Sequence, residues 1–285
     1  MEMVQFSPVR KVLERAKQIE RQSNNVVHFE IGEPDFDTPQ KISDACIKAI
    51  NEKYTHYSAN RGTIELREAI ANRITDTTGI KYDAQNEILA TAGAAEALLD
   101  SMLALVDEGD EVIIFTPAFM NYENVTALCG GIIKELPLRE MDNYQVDCRI
   151  LEKTVTNKTR LLIINNPQNP CGAIQTKETL EKIAEIVIKK DLLVISDEIY
   201  DAITYDGTKV LSIAALPGMR ERTILVNGFS KAYAMTGWRV GYLAGPAELI
   251  PAILKVHQYC TCCIPTFIQI ALAETMNDCR NEIED

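Results

Sequence analysis

Ile88-Leu89-Ala90-Thr91-Ala92-Gly93-Ala94-Ala95-Glu96-Ala97-Leu98-Leu99-Asp100-Ser101-Met102-Leu103-Ala104-Leu105 is the stretch on which the fold turns. Ile88–Thr91 is a short apolar run of strand length, Gly93 interrupts it, and from Ala95 to Val106 the apolar residues recur at helical spacing. The same unit repeats outward. Strand-like runs follow at Val112–Phe115, Ile132–Leu136, Leu161–Asn165, Leu192–Ser196, Ile224–Asn227 and Val240–Ala244, with helical patterns such as Lys177–Lys189 and Ala247–Tyr259 between most of them. Strands apolar on both faces and separated by helices read as a mostly parallel sheet covered on both sides. Upstream, Ser7-Pro8 starts a helix reaching about Ser23, Val26–Ile31 reads as a short strand, and Gly32-Glu33-Pro34-Asp35 as a turn. Thr38-Pro39 opens a second helix, and Ile64–Thr77 is a third, stopped by Gly79.

Composition narrows the function. A chain of 285 residues with 46% hydrophobic and 25% charged residues is that of a large globular core, which excludes disorder and collagen-like repeats. The formal net charge of −12 argues against a nucleic-acid surface, which needs clustered Lys and Arg. Glu96 and Asp100 interrupt the most apolar stretch, Ile88–Val106, so no membrane span is expected, and no basic-then-apolar leader is visible at the N-terminus. Of eight cysteines, Cys46, Cys129, Cys148 and Cys171 are scattered, while His257, Cys260, Cys262 and Cys263 cluster without paired metal-ligand spacing. Buried reduced thiols are the expectation there, with a metal site as the alternative, and a reducing cytoplasm fits.

Ligands of such sheets bind outside the carboxyl ends of the strands. Four ends carry polar residues: Thr91-Ala92-Gly93-Ala94-Ala95-Glu96, Asn165-Asn166-Pro167-Gln168-Asn169-Pro170-Cys171-Gly172, Ser196-Asp197-Glu198-Ile199-Tyr200, and Asn227-Gly228-Phe229-Ser230-Lys231 with Arg239 eight residues on. Singly, each has a plain reading: a rigid Asn-Pro turn, a solvated Asp-Glu pair, an ordinary helix start. Their order and spacing carry more.

With Ile31-Gly32-Glu33-Pro34-Asp35-Phe36, with Tyr57 to Arg67, and with Ser230-Lys231-Ala232-Tyr233-Ala234-Met235-Thr236-Gly237-Trp238-Arg239, they resemble, over essentially the whole chain, the class I/II aminotransferases. These are pyridoxal-phosphate enzymes of fold type I, and the likeness is to the aspartate, aromatic and kynurenine aminotransferase subgroup. The resemblance implies a seven-stranded, mostly parallel sheet in an α/β/α sandwich, a homodimer with shared sites, and amino transfer from an amino acid to a 2-oxo acid. It implies that Lys231 forms a Schiff base with the cofactor aldehyde, a role suited to a desolvated, readily deprotonated lysine. Asp197 would pair with the pyridine nitrogen, and Tyr200 and Asn169 with the ring's 3-oxygen. Gly93, Ala94 and Ala95 would offer backbone N–H groups to the phosphate at a helix N-terminus, joined by the Arg239 fork and the Ser230 hydroxyl. Phe119 would stack on the ring, and Tyr57 would reach the phosphate of the neighbouring subunit; core packing is the alternative for each. Gly32 and Asn169 would meet the substrate carboxylate.

Two departures stand out. Gly228 occupies the position three before the lysine where many relatives place a serine. The family's carboxylate-binding arginine motif has no match, since the last arginine, Arg280, lies in Asn277-Asp278-Cys279-Arg280-Asn281-Glu282. The expected organisation is therefore an N-terminal arm and small-domain segment (1–41), a large cofactor-binding domain (42–285), and a small domain left incomplete. A lyase or decarboxylase on the same scaffold, or a cofactor-binding chain without turnover, are the other readings. No residue pattern selects the amino acid; aspartate, aromatic and other neutral side chains all remain open.

Overall fold

The computed structural model describes residues 4, 6–22, 25–279 and 282–283. Elements follow in the order α1 (Pro8–Glu20), α2 (Gln40–Asn51), α3 (Ile64–Thr78), β1 (Ile88–Thr91), α4 (Ala94–Leu105), β2 (Glu111–Thr116), α5 (Asn121–Leu128), β3 (Ile132–Pro137), α6 (Cys148–Thr154), β4 (Thr159–Asn165), α7 (Lys177–Lys189), β5 (Leu193–Asp197), β6 (Thr223–Gly228), β7 (Gly241–Ala244), α8 (Ile250–Cys260) and α9 (Thr266–Thr275). One seven-stranded sheet runs β1-β7-β6-β5-β4-β2-β3. The pairs among β6, β5, β4, β2 and β3 are parallel, and β7 is antiparallel to both β1 and β6. The sheet is thus mostly parallel with one reversed strand, so β1 points the same way as the parallel set and shares its carboxyl edge.

The strands are apolar on both faces because both are covered. Leu161 and Ile163 of β4, with Ile114 of β2 and Val226 of β6, pack against α4, α5 and α8. The alternate residues Leu162 and Ile164 face α6 and α7, while Leu225, Tyr242 and Phe229 pack under α2, α3 and α9. Each fully buried aliphatic side chain contributes about 1.5–3 kcal/mol. That is why periodicity located these elements closely.

Local chemistry sets the ends. Ser7 accepts the Arg10 N–H at 3.3 Å and Pro8 opens α1, as expected; Ser23, the expected far end, lies outside the described residues. Gly79 ends α3 at φ +76°, a left-handed cap that favours glycine. One expectation is corrected: Val26–Ile31 has no ladder partner among the described residues, bends at Glu30 and Ile31, and is not a strand. Thr38-Pro39 leads into α2 as expected, with Pro39 at the N-cap, while the Thr38 hydroxyl donates to Ala234 O at 2.8 Å and accepts from Trp238 Nε1 at 3.0 Å. These bonds, with Thr236 Oγ1 donating to Glu33 Oε2 at 3.0 Å, hold the N-terminal segment over the Lys231 loop.

Candidate active site

The carboxyl ends of β1, β2, β4, β5 and β6 lie along one edge of the sheet, and a cleft of ≈ 1790 Å³ opens beside those of β2, β4, β5 and β6. Gly32, Phe119, Asn169, Tyr200 and Lys231 line that cleft. Lys231 follows β6, and its Nζ donates to Gly32 O at 2.6 Å and lies 5.8 Å from the centre of the Tyr200 ring. Burial lowers the Lys231 ammonium below its ordinary value, against a smaller upward pull from Glu33. Both partners of the 2.6 Å bond were expected in the site, although the Gly32 carbonyl is engaged by the lysine.

Asp197 ends β5 and is 3% exposed, so the solvated Asp-Glu reading fails. Burial pushes its carboxyl up to about 6, while the Tyr122 hydroxyl and the Ile199 N–H, donating at 2.7 and 3.2 Å, pull it back. Its neighbour Glu198 points into the opposite layer, where burial raises it to about 7 against the Ser212 and Ser196 hydroxyls, which donate to it at 2.6 and 2.7 Å. Asn169 Nδ2 donates to the Tyr200 hydroxyl at 3.1 Å. Asn165, at the end of β4, holds this geometry: its Nδ2 donates to Asp197 O at 2.9 Å and its Oδ1 accepts the Asn169 N–H at 2.7 Å.

At the end of β1, Gly93 takes φ +85° and caps α4 without a side chain. The first turn of a helix leaves its N–H groups without partners along the chain, which here includes those of Ala94 and Ala95, whereas the Gly93 N–H, expected to join them, donates to Thr91 O at 2.8 Å. A Cβ on Gly93 would meet Arg239 Nη2 at 2.7 Å, and one on Gly241 would meet Ala94 N at 2.6 Å. The cradle therefore exists because both glycines lack side chains, with a guanidinium lying against it. Arg239 itself is exposed at φ +55° and donates from Nη1 to Thr236 O at 3.0 Å. Ser230 is half-buried directly before the lysine. A side chain at Gly228 would crowd Gly241 Cα at 3.1 Å and Val240 O at 3.2 Å, so the departure there matches the close pairing of β6 and β7.

Phe119 lines the cleft and meets Tyr122 edge-on at 5.8 Å, which places it in the site rather than wholly in the core. Tyr57 is 88% exposed and does not line the cleft of its own chain. Arg67 stands apart too; it is buried, donating to Gly62 O at 3.1 Å and to Ala84 O. Tyr122 and Asn165 were missed by the sequence reading. The signal for Tyr122 is its place one helical turn after Phe119, which brings its hydroxyl under the end of β5.

Neither cysteine expectation holds fully. Cys260 is exposed and Cys262 and Cys263 are half-buried, while all eight thiols are free. His257 is buried against Glu96 and Asp100 rather than grouped with the thiols. Arg280 lies outside the described residues.

Residues 24–284 match the profile of the family "Aminotransferase class I and II". This chain belongs to the class I and II aminotransferases. It is 42% identical over 281 residues to aromatic-amino-acid aminotransferase 2 of Thermococcus litoralis and 43% identical over 281 residues to an aspartate aminotransferase of Pyrococcus abyssi. Each alignment covers 99% of this chain and 71% of the relative. Among solved structures, Pyrococcus protein-A1 superposes with TM-score 0.94 at 45% identity, covering 99% of this chain and 72% of that one. The aspartate aminotransferase of Thermus thermophilus with maleate gives 0.94 at 33% identity, covering 99% and 74%. The fold is fold type I, and the aminotransferase uses pyridoxal 5′-phosphate. These relatives do not favour a lyase or decarboxylase reading. No helix among the described residues is long and apolar enough to cross a membrane.

Proposed function

We propose that this aminotransferase moves the amino group of an aspartate-like or aromatic L-amino acid to a 2-oxo acid, with Lys231, Asp197 and the Gly93–Ala95 cradle as its working parts. The observation that carries this reading is their convergence: an ammonium with a lowered pKa, a buried carboxylate and an open helix N-terminus on one sheet edge. The donor set fits pyridoxal phosphate, because the cradle that side chains at Gly93 and Gly241 would fill takes an anion, and the buried Asp197 takes a protonated ring nitrogen.

Bound there, the cofactor supplies an electron-withdrawing ring that stabilises negative charge at the substrate Cα. The N–H groups of Ala94 and Ala95, the Arg239 guanidinium and the Ser230 hydroxyl hold its phosphate. Asp197, ionised and oriented by Tyr122 and Ile199, holds the proton at the ring nitrogen. Tyr200 and Asn169 donate toward the 3-oxygen from their shared hydrogen bond. Phe119, which lines the cleft, would cover the ring and exclude water. Lys231 Nζ, already the less basic for its burial, would carry a proton between the substrate Cα and the cofactor's C4′ carbon. Gly32 and Asn169 orient the substrate carboxylate.

Two finer points belong to the same reading. The exposed Tyr57 serves the site of a second copy in a homodimer, and residues 1–41 form an arm distinct from the cofactor-binding body that begins at 42. The eight free thiols suit a reducing cytoplasm. The decisive experiment is borohydride reduction with pyridoxal phosphate followed by peptide mapping, alongside transfer assays with aspartate and aromatic donors. The label is expected on the Lys231 peptide, and Lys231→Ala is expected to lose both label and transfer. A label retained by Lys231→Ala would overturn the assignment.

A further inference from the structure

Directly behind the cradle, in the first two turns of α4, lie two carboxylates that the functional reading leaves unused. Glu96 accepts the Ala92 N–H through Oε2 and the Thr261 hydroxyl through Oε1. Asp100, one turn on, is 0% exposed and accepts no hydrogen bond among the described residues. Facing both from α8 is His257, also 0% exposed, whose Nδ1 stands 3.4 Å from Glu96 Oε1 and 3.4 Å from Asp100 Oδ2. The Cys260 thiol, raised by burial and by Asp100, is the other titratable group beside the cluster.

We propose that His257 is a positioning residue of the cofactor cradle: a protonated imidazole, lodged between Glu96 and Asp100, that locks the first turns of α4 onto α8 and so fixes the backbone amides of Ala94 and Ala95. The inference rests on the reading of those amides as the phosphate site. A neutral imidazole would leave two buried carboxylates facing one another without a counter-charge, an arrangement that burial penalises heavily. A second proton on the ring makes it a cation, leaves the cluster with a single net negative charge and pairs the ring with both carboxylates. Burial disfavours that charged ring, but Asp100 and Glu96 outweigh it and push His257 up to about 9. The same three side chains have the composition of a metal site. Both Glu96 oxygens are already taken by the Ala92 amide and the Thr261 hydroxyl, which favours the proton. Because Glu96 grips the Ala92 N–H, a movement of α4 against α8 is transmitted directly to the residue before Gly93.

Two measurements test this. The first is ¹⁵N NMR of the histidine rings, with the three histidines assigned by His28→Gln and His56→Gln. The His257 ring is expected to remain doubly protonated through pH 8; a ring that is neutral at pH 7 overturns the proposal. The second is titration of the apoprotein with pyridoxal phosphate, followed by absorbance. His257→Gln is expected to weaken binding roughly tenfold, a size typical of coupled supporting groups. Adding Asp100→Asn, which returns the cluster to one net negative charge, is expected to restore affinity to within about threefold, whereas a packing role would make the two losses add. Binding by His257→Gln within about twofold of the parent overturns the proposal, as does a stoichiometric metal ion in the purified protein that His257→Gln loses. Failure of the parent chain to bind pyridoxal phosphate would instead overturn the cradle reading beneath it.

Discussion

Replacing Tyr122 by Phe removes one oxygen atom and tests whether Asp197 is held as an ionised group. The Tyr122 hydroxyl donates to Asp197 Oδ2 at 2.7 Å, and the two residues are 4% and 3% exposed, so water cannot substitute for the lost donor. Asp197 is raised from 3.8 to about 6 by burial. A carboxyl raised in the folded state binds its proton more tightly there than in the unfolded chain. Its contribution to stability is therefore present at low pH and is lost as pH rises from about 4 through about 6. Below that window the bond lost in Tyr122→Phe joins two neutral groups and is worth about 1 kcal/mol. Above it the acceptor is charged, and the loss grows to about 2–3 kcal/mol. The growth of about 1–2 kcal/mol corresponds to raising the Asp197 carboxyl by roughly a further pH unit. Urea unfolding of the apoprotein at pH 5, 6, 7 and 8, parent against variant, reads this directly. A destabilisation that stays constant within about 0.3 kcal/mol across that range would refute the claim that Tyr122 stabilises the ionised form.

Other changes address different parts of the molecule. Gly241→Ala puts a Cβ 2.6 Å from Ala94 N and 2.7 Å from Gly93 C, so the cradle must move; about 1–3 kcal/mol of stability and much of the cofactor affinity should be lost, by urea unfolding and absorbance titration. Glu198→Gln removes a buried carboxyl raised from 4.5 to about 7, and its stability relative to the parent should climb by about 3 kcal/mol between pH 4.5 and pH 8. A flat difference across that range would show that Glu198 does not change charge there.

How much of this was legible beforehand depends on what each residue's neighbours are. α7 appears at Lys177–Lys189, the same bounds that periodicity suggested, because its apolar stripe meets a sheet apolar on both faces. Val26–Ile31 shares the apolar composition of a strand yet pairs with no strand among the described residues, since a ladder is a property of two segments and local sequence describes one. The burial of Asp197 and Glu198 was equally hidden. An Asp-Glu pair after a strand is ordinarily solvated, and the hydroxyls of Tyr122, Ser196 and Ser212, with the Ile199 N–H, make these two tolerable inside. His257 looked like the neighbour of three cysteines in the chain, whereas helical geometry turns it inward to Glu96 and Asp100.

The sequence by itself determined the alternation of strands and helices, the family, and the residue types at the strand ends, because these depend on periodicity and on motifs read in order. The tertiary structure decided which of those ends converge and what state their ionisable groups hold. Lys231 becomes less basic, and Asp197 and His257 hold protons more tightly, through burial and partners brought from distant elements. Protonation follows local dielectric and local charge, and both exist only once the chain has closed around the site.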